Sequence, residues 1–243
     1  MKRKKTTLII FTALVVGLTL SSCNTWLDRG EDTYASWATL SMTYQEDGLP
    51  ARPFYFITDD TLVLCPMNHS SVDANFKPFD GQRLVLFFKA HKFAEGTGTP
   101  TPEKDHIAYI DIIQMQMMST KGIVSTLEPD TLGTDPMEPE FLWFGGTVFG
   151  TNRYLNVQLM IPAMEPDEHT FDLVQDLNRE SPLEDGYYFL ELRHNEKKDA
   201  HFIDYTARMS FLLDGDCAAE DVKGLKIRIR TINQGVKIYT LDY

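Results

Sequence analysis

The chain has 243 residues, and its 35 acidic residues outnumber its 23 Lys and Arg, which gives a formal net charge of −12 at pH 7. Affinity for phosphates depends mainly on Lys and Arg, so this composition argues against a nucleic-acid partner and against nonspecific binding to anionic membranes. The length suits one large domain or two ordinary ones.

The first 22 residues have the pattern of a secretory signal. Four basic residues at positions 2–5 precede an apolar run at 8–20. A helix of about 13 residues spans only about 20 Å, short of a bilayer core of about 30 Å, so the pattern predicts a targeting signal and not a membrane span. The next residues, Leu20-Ser21-Ser22-Cys23, resemble the bacterial lipobox. They predict cleavage before Cys23 and lipid attachment to its thiol, whereas the alternative is an ordinary signal with a structural Cys23.

The predicted lipid also indicates a compartment. Several acyl chains on Cys23, at about 0.8 kcal/mol per buried methylene, would anchor the mature chain permanently. By analogy with the enteric sorting rule, Asn24 disfavours retention at the inner membrane. We therefore predict a lipid-anchored protein of the outer membrane, on either its periplasmic face or the cell surface.

Alternation with period two predicts an all-β chain. In the first predicted strand, Ala38, Leu40 and Met42 form one face and Thr39 and Ser41 the other. Five strands favour a small closed barrel of the OB type within residues 33–126. They are predicted at 37–44, 52–57, 61–65, 83–93 and 106–120.

The composition changes over residues 127–140, which contain Glu-Pro-Asp, Gly-Thr-Asp-Pro and Glu-Pro-Glu. This pattern predicts a solvated acidic connector and a domain boundary. Beyond it, hairpin-spaced alternation is typical of an antiparallel β-sandwich over residues 141–243. Its strands are predicted at 154–161, 170–175, 187–194, 201–213, 225–232 and 236–243.

Few residues suggest chemistry. Cys65 and Cys217 lie in different predicted domains, so two unpaired thiols are favoured over a disulfide. A two-residue turn at 197–198 would place His194 opposite His201 with Cβ atoms about 5 Å apart, which makes them weak metal candidates. Metal sites normally have three or four protein ligands, and no third one is evident nearby, so we predict no metal and no cofactor.

Two patterns suggest binding surfaces. Lys226, Arg228 and Arg230 alternate along one predicted strand, with Lys237 on its neighbour, so an acidic partner has a basic face to dock on. The favoured alternative is a solvated face whose charges pair with Glu191 or Asp204. On the barrel, the aromatic side chains of Trp37 and Tyr55 suit stacking on a polymer, although packing in the core or at the rim is favoured.

Four motifs in the mature chain give it a family resemblance. They are Gly81-Gln82-Arg83, the aromatic-rich segment 143–150, Tyr154-Leu155-Asn156-Val157, and the segment 190–195 with the sequence Leu-Glu-Leu-Arg-His-Asn. With them the chain resembles the NigD-like lipoproteins of gut-dwelling Gram-negative bacteria. The resemblance implies an N-terminal OB-like barrel and a C-terminal β-sandwich, and Cys23 is the one functional residue that it carries over.

Three functional hypotheses follow. The leading one is a noncatalytic, lipid-anchored envelope or surface protein that binds a protein or glycan partner. The second is an envelope hydrolase, which needs two carboxylates about 5 to 9 Å apart in a cleft. The third is an immunity or protective lipoprotein, which the resemblance suggests because the family name comes from a bacteriocin-linked gene cluster.

Overall fold

A computed structural model describes residues 33–42, 54–68, 79–92, 107–146 and 153–243. The predicted signal, Cys23 and Asn24 lie outside these residues. Within the described ranges, no helix is both long and apolar enough to cross a membrane.

The first five strands form the predicted closed barrel. In chain order they are β1 (Tyr34–Ser41), β2 (Tyr55–Thr58), β3 (Val63–Pro66), β4 (Arg83–Ala90) and β5 (Ile107–Met117). They close in the order β1-β2-β3-β5-β4, with β3 and β5 parallel and the other pairs antiparallel. The alternation seen in the sequence puts Ala38, Leu40, Leu84 and Leu86 inside the barrel, because successive side chains of a strand point to opposite faces.

The outer face of β4 also carries apolar residues, Val85 and Phe87, because the second domain covers it. Val85 packs with Trp37 and Met118 in a separate cluster, and Trp143 lies against it. The rings of Trp37 and Trp143 meet edge to face with centroids 4.5 Å apart. A strand covered on both faces needs apolar residues on both.

Ten further strands form the predicted sandwich. The larger sheet has the order β15-β14-β12-β10-β7, with β11 added to β12, and the smaller sheet has the order β6-β13-β9-β8. The larger sheet contains β7 (Val124–Thr126), β10 (Thr170–Asp176), β11 (Leu183–Glu184), β12 (Tyr187–Asn195), β14 (Gly224–Thr231) and β15 (Gly235–Asp242). The smaller contains β6 (Ser119–Lys121), β8 (Glu138–Gly146), β9 (Arg153–Ala163) and β13 (Ile203–Leu213).

The sandwich is not purely antiparallel. The pairs β6 with β13, β7 with β10 and β12 with β14 are parallel. Between β12 and β14 the chain passes through β13 of the other sheet, so β14 returns in the same direction as β12. A crossover of this kind produces parallel neighbours, whereas a hairpin produces antiparallel ones.

The structure corrects the domain boundary predicted at 127–140. Strands β6 and β7 precede this segment and already pair with sandwich strands, so the sandwich begins near residue 119. The segment contains a 3-10 turn at Pro129–Leu132 and leads from β7 in the larger sheet to β8 in the smaller one. Acidic and Pro-rich composition marks an exposed connection, and it does not distinguish a link between domains from a crossover within one.

Alternation on β12 and β14 separates the core from a charged face. Leu190, Leu192, Ile227 and Ile229 are fully or almost fully buried in the core between the sheets. The residues between them, and their neighbours on β15, therefore point to the outer face of the larger sheet.

Candidate functional site

An open pocket of about 320 Å³ lies on this outer face. Residues of β12 and β14 form its floor, residues 133–135 form one wall, and Val236 of β15 forms part of the rim. Three arginines line it, Arg193, Arg228 and Arg230. We call it the arginine pocket.

A buried carboxylate holds two of these arginines in place. Glu191 lies between them and is 4% exposed. One of its oxygens accepts a hydrogen bond from Arg228 Nη1 at 2.8 Å, and the other accepts one from Arg193 Nη2. Arg193 Nη1 also donates to Asp130 Oδ1 at 2.8 Å. A buried charge is tolerated only when it is paired in this way, so Glu191 acts as an internal counter-ion.

Arg230 differs from the other two arginines. Within the described ranges its side chain makes one hydrogen bond, from Nη1 to the carbonyl oxygen of Thr134 at 2.9 Å, and no ion pair. A guanidinium has five N–H donors, and Arg230 is exposed. It is therefore the group in the pocket best placed to take an external acceptor.

The wall of the pocket is fixed by backbone contacts. Gly133 has φ +114°, and a Cβ at this position would lie 2.1 Å from the carbonyl oxygen of His194. The Asp135 N–H donates to the same oxygen at 3.0 Å, and the Met137 N–H donates to the Arg230 carbonyl at 3.0 Å. The segment is thus held against both strands of the floor, so the pocket keeps its shape without a ligand.

The pocket is lined by two carboxylates, and both already accept hydrogen bonds. Glu191 accepts from two arginines, and Asp135 Oδ2 accepts from the Glu196 N–H at 3.0 Å. A carboxyl group that acts as a general acid, base or nucleophile must be able to face its substrate. Both carboxyl groups of the pocket therefore have partners within the protein.

On the opposite side of β12, His194 forms a buried chain of polar contacts. Its Nδ1 is 3.2 Å from the Pro136 carbonyl oxygen, and its Nε2 is 3.0 Å from Nδ1 of His169. Nε2 of His169 is 3.1 Å from Asp199 Oδ2. Phe171 stacks on the His194 ring with centroids 4.7 Å apart. Burial lowers the pKa of His194, and the backbone N–H groups of Glu165 and Met164 help to lower the pKa of Asp199 to about 2.

The structure does not bring together the two predicted metal candidates. The two-residue turn at Lys197 and Lys198 is present, with positive φ at both residues and a hydrogen bond from the Asp199 N–H to the Glu196 carbonyl. However, β12 pairs with β10 and β14 and not with the strand that follows the turn. His201 instead contacts Glu196 Oε2 at 2.7 Å. Among the described residues, no three His, Cys, Asp or Glu side chains are grouped so that they could hold a metal ion.

Two motifs of the family resemblance meet where the barrel joins the sandwich. Arg83 is fully buried, and its Nη1 lies 2.7 Å from Asp59 Oδ1 in the turn between β2 and β3. Its Nη2 donates to Asn156 Oδ1 of β9 at 3.1 Å, and Asn156 Nδ2 donates to Asp59 Oδ2 at 3.0 Å. The Tyr154 hydroxyl donates to the Gly81 carbonyl at 2.9 Å. We call this cluster the domain joint.

The predicted basic face is present only in part. Lys226 pairs with Glu184 and Asp185, and Arg228 pairs with Glu191 as the favoured alternative predicted. Lys237 lies opposite Ile229, so it belongs to the other face of the sheet. Arg193 belongs to this face as well, and its position two residues from Glu191 on the predicted strand 187–194 is the signal that places both on one face.

The remaining candidates have structural positions. Trp37 is buried at the contact between the domains, whereas Tyr55 is 38% exposed on the barrel. Cys65 and Cys217 are not bridged. Burial raises the pKa of the Cys217 thiol to about 11, so this thiol stays protonated at neutral pH and is a poor nucleophile.

The chain matches the family model of the NigD-like C-terminal beta sandwich domain over residues 120–243. No curated protein matches the chain. A solved protein of unknown function from Bacteroides vulgatus has 19% identity and a TM-score of 0.65, over 87% of this chain and 90% of its own. One from Bacteroides fragilis, described as a "putative lipoprotein", has 10% identity and a TM-score of 0.57, over 87% and 98%. A NigD-like immunity protein from Bacteroides caccae has 18% identity and a TM-score of 0.53, over 89% and 93%. At these identities the likeness establishes the fold.

Proposed function

The chain belongs to the NigD-like family, and from this membership and the arginine pocket we propose that it is a noncatalytic, lipid-anchored cell-envelope protein that binds a partner at the pocket. The observation that carries the proposal is the pocket itself. On a chain with a net charge of −12, three arginines converge on one open depression of a rigid sheet.

Convergent arginines on an acidic protein are typical of recognition. Guanidinium groups make strong, geometrically defined contacts with anionic acceptors. The backbone contacts of residues 133–137 and the counter-ion Glu191 fix the pocket before any ligand arrives. A preorganised site loses less conformational entropy on binding.

The lipobox at Leu20-Ser21-Ser22-Cys23 supports the anchor, and the likeness to the B. fragilis protein is consistent with it. We propose the outer membrane as the location. Metabolic labelling with a clickable palmitate analogue tests the attachment. We expect the native chain to carry the label and to fractionate with membranes. The Cys23→Ala chain should be unlabelled and soluble. A labelled Cys23→Ala chain would contradict the assignment.

Binding is tested by quantitative capture from intact cells that carry the anchored protein. We expect one or more components to be enriched with the native chain and lost with Arg228→Gln/Arg230→Gln. The matched control Lys89→Gln/Lys223→Gln also removes two positive charges, from exposed positions outside the pocket. It should capture the same components as the native chain. If the pocket variant captures as much as the native chain, the pocket is not the binding site.

An immunity role, suggested by the name of the B. caccae protein, is the special case in which the partner is a toxin. In that case, cells that lose this chain become sensitive to the toxin, and Arg228→Gln/Arg230→Gln fails to restore protection. Equal survival with and without the chain excludes this special case and leaves the binding proposal intact.

A further inference from the structure

We propose that the arginine pocket receives a carboxylate from an extended acidic segment of a partner protein, and that this segment lies along the outer edge of β15. This inference rests on the proposed function and specifies its partner.

The guanidinium groups of the pocket suit a small anion. Arg228 and Arg230 are two residues apart on one face of β14, so their backbones are about 7 Å apart. Arg228 shares Glu191 with Arg193, whereas Arg230 has no carboxylate partner within the described ranges. A carboxylate at the rim can accept from the free donors of Arg230 and from the exposed side of Arg228, whose side chain is 43% exposed.

The rim beside these arginines is aliphatic. Val236 and Ile238 of β15 are 53% and 52% exposed, and they lie opposite Arg230 and Arg228 in the sheet register. The four side chains therefore form one patch in which each arginine has an aliphatic neighbour. The complementary ligand therefore presents a carboxylate and an aliphatic side chain on the same face.

The outer edge of β15 provides backbone groups for such a ligand. In the described part of the chain, β15 pairs with β14 on one side and with no strand on the other. An exposed strand edge presents N–H and C=O groups that an extended peptide can pair with. A peptide backbone can pair with this edge. A glycan would bind better to aromatic side chains than to valine and isoleucine, so the edge and the rim favour a protein segment.

The distances suit this geometry. An added strand would lie about 4.8 Å from β15 and about 10 Å from β14. An acidic residue placed opposite Val236 would point to the same face as Arg230. A glutamate and an arginine extended towards each other span this separation, so one ligand strand can pair with β15 and reach the pocket.

The test is selection from a displayed library of random 12-residue peptides against the whole mature chain. We expect the enriched peptides to carry Asp or Glu two positions from an aliphatic residue, because residues i and i+2 of a strand point to the same face. Their affinity should fall on the order of tenfold or more with Arg228→Gln/Arg230→Gln, because hydrogen bonds to charged groups are lost. The control Lys89→Gln/Lys223→Gln should bind like the native chain.

A second variant tests the edge and the rim. Val236→Thr/Ile238→Thr removes the aliphatic contacts at exposed positions without adding a charge or touching the core, and it should weaken binding of the same peptides while leaving the thermal midpoint nearly unchanged. Enriched peptides without acidic residues, equal binding by the pocket variant, or a library that yields no binder would each overturn the inference. Binding of acidic glycans on an array, with no peptide enriched, would assign the site to a glycan and leave the proposed function standing.

Discussion

His169 and His194 make three polar contacts, and each of them needs a proton from a ring nitrogen. The Pro136 carbonyl and the ionised Asp199 only accept, so His194 Nδ1 and His169 Nε2 must both donate. The contact between the two rings, at 3.0 Å, needs a third proton. Two neutral imidazoles carry only two such protons, so the three contacts cannot all be hydrogen bonds while both rings are neutral.

The assignment of these protons leads to a first prediction. Burial lowers the pKa of His194 below the ordinary value of 6.5, although the contact with the Pro136 carbonyl opposes this shift, so we expect most His194 rings to be neutral at pH 6.5, with the proton on Nδ1. Nitrogen-15 chemical shifts of the two imidazoles measure this directly. Protonation of both nitrogens in most His194 rings at pH 6.5 would contradict it.

A second prediction concerns Asp199. Its pKa is about 2 in the folded chain and about 3.9 in an unfolded one. The ionised side chain therefore stabilises the fold fully above about pH 4, and this contribution is lost as the pH falls towards 2. Asp199→Asn should lower the thermal midpoint at pH 7, and the difference from the native chain should vanish near pH 2. A difference that is the same at both pH values would contradict this account. Glu168→Gln, on the neighbouring 3-10 turn, is the control.

At the scale of elements, the wall of the arginine pocket depends on one glycine. Gly133 has φ +114°, and a Cβ there would meet the His194 carbonyl at 2.1 Å. Strain and steric repulsion together should make Gly133→Ala less stable by about 1 to 3 kcal/mol, and should weaken ligand binding because the wall shifts.

Chemical denaturation measures the effect on stability. The control is Gly122→Ala, since a Cβ at Gly122 meets nothing within 4 Å. Equal stability of the two variants would show that the wall adjusts freely.

The strands themselves were predictable, and their partners were not. Period-two alternation found β12 and β14 because each needs one buried face. The sequence around Lys197-Lys198 predicts a turn, yet it contains nothing to show that β13 belongs to the smaller sheet while β12 belongs to the larger one. The turn alone therefore predicts that His194 lies opposite His201. Its partner in the structure is His169, which lies on a connection more than 20 residues away. Sheet pairing is a long-range choice that local alternation does not encode.

At the scale of the whole molecule, the domain joint links barrel and sandwich through buried charge. Arg83 is 0% exposed and the Asp59 side chain 7% exposed. Removing one member of a buried pair leaves the other charge uncompensated, so Asp59→Asn should cost about 3 to 5 kcal/mol of unfolding free energy.

Asp60→Asn changes the exposed neighbour in the same turn and should cost much less. Chemical denaturation of both variants makes the comparison. An Asp59→Asn variant as stable as Asp60→Asn would mean that the joint is held by the Trp37 and Trp143 contact and not by the ion pair.

The two-domain fold was predictable from alternation and from the family resemblance, but the domain joint and the arginine pocket were not. The motif Gly81-Gln82-Arg83 was recognised as a strand opening, while its role depends on Asp59 and Asn156, which are distant in sequence. The basic strand 225–232 was recognised too, but the pocket needs residues from β12, β15 and the segment 133–135 as well. Both sites are formed by residues that only the tertiary structure brings together.

Partner binding at the arginine pocket is the central claim, and photocrosslinking in intact cells tests it most directly. A photoreactive amino acid replaces Val236 at the rim, and in a second strain it replaces Tyr205, which is 42% exposed on the smaller sheet. We predict a discrete adduct at position 236 that disappears with Arg228→Gln/Arg230→Gln, and none at position 205. No adduct at 236, or equal adducts at both positions, would contradict the claim.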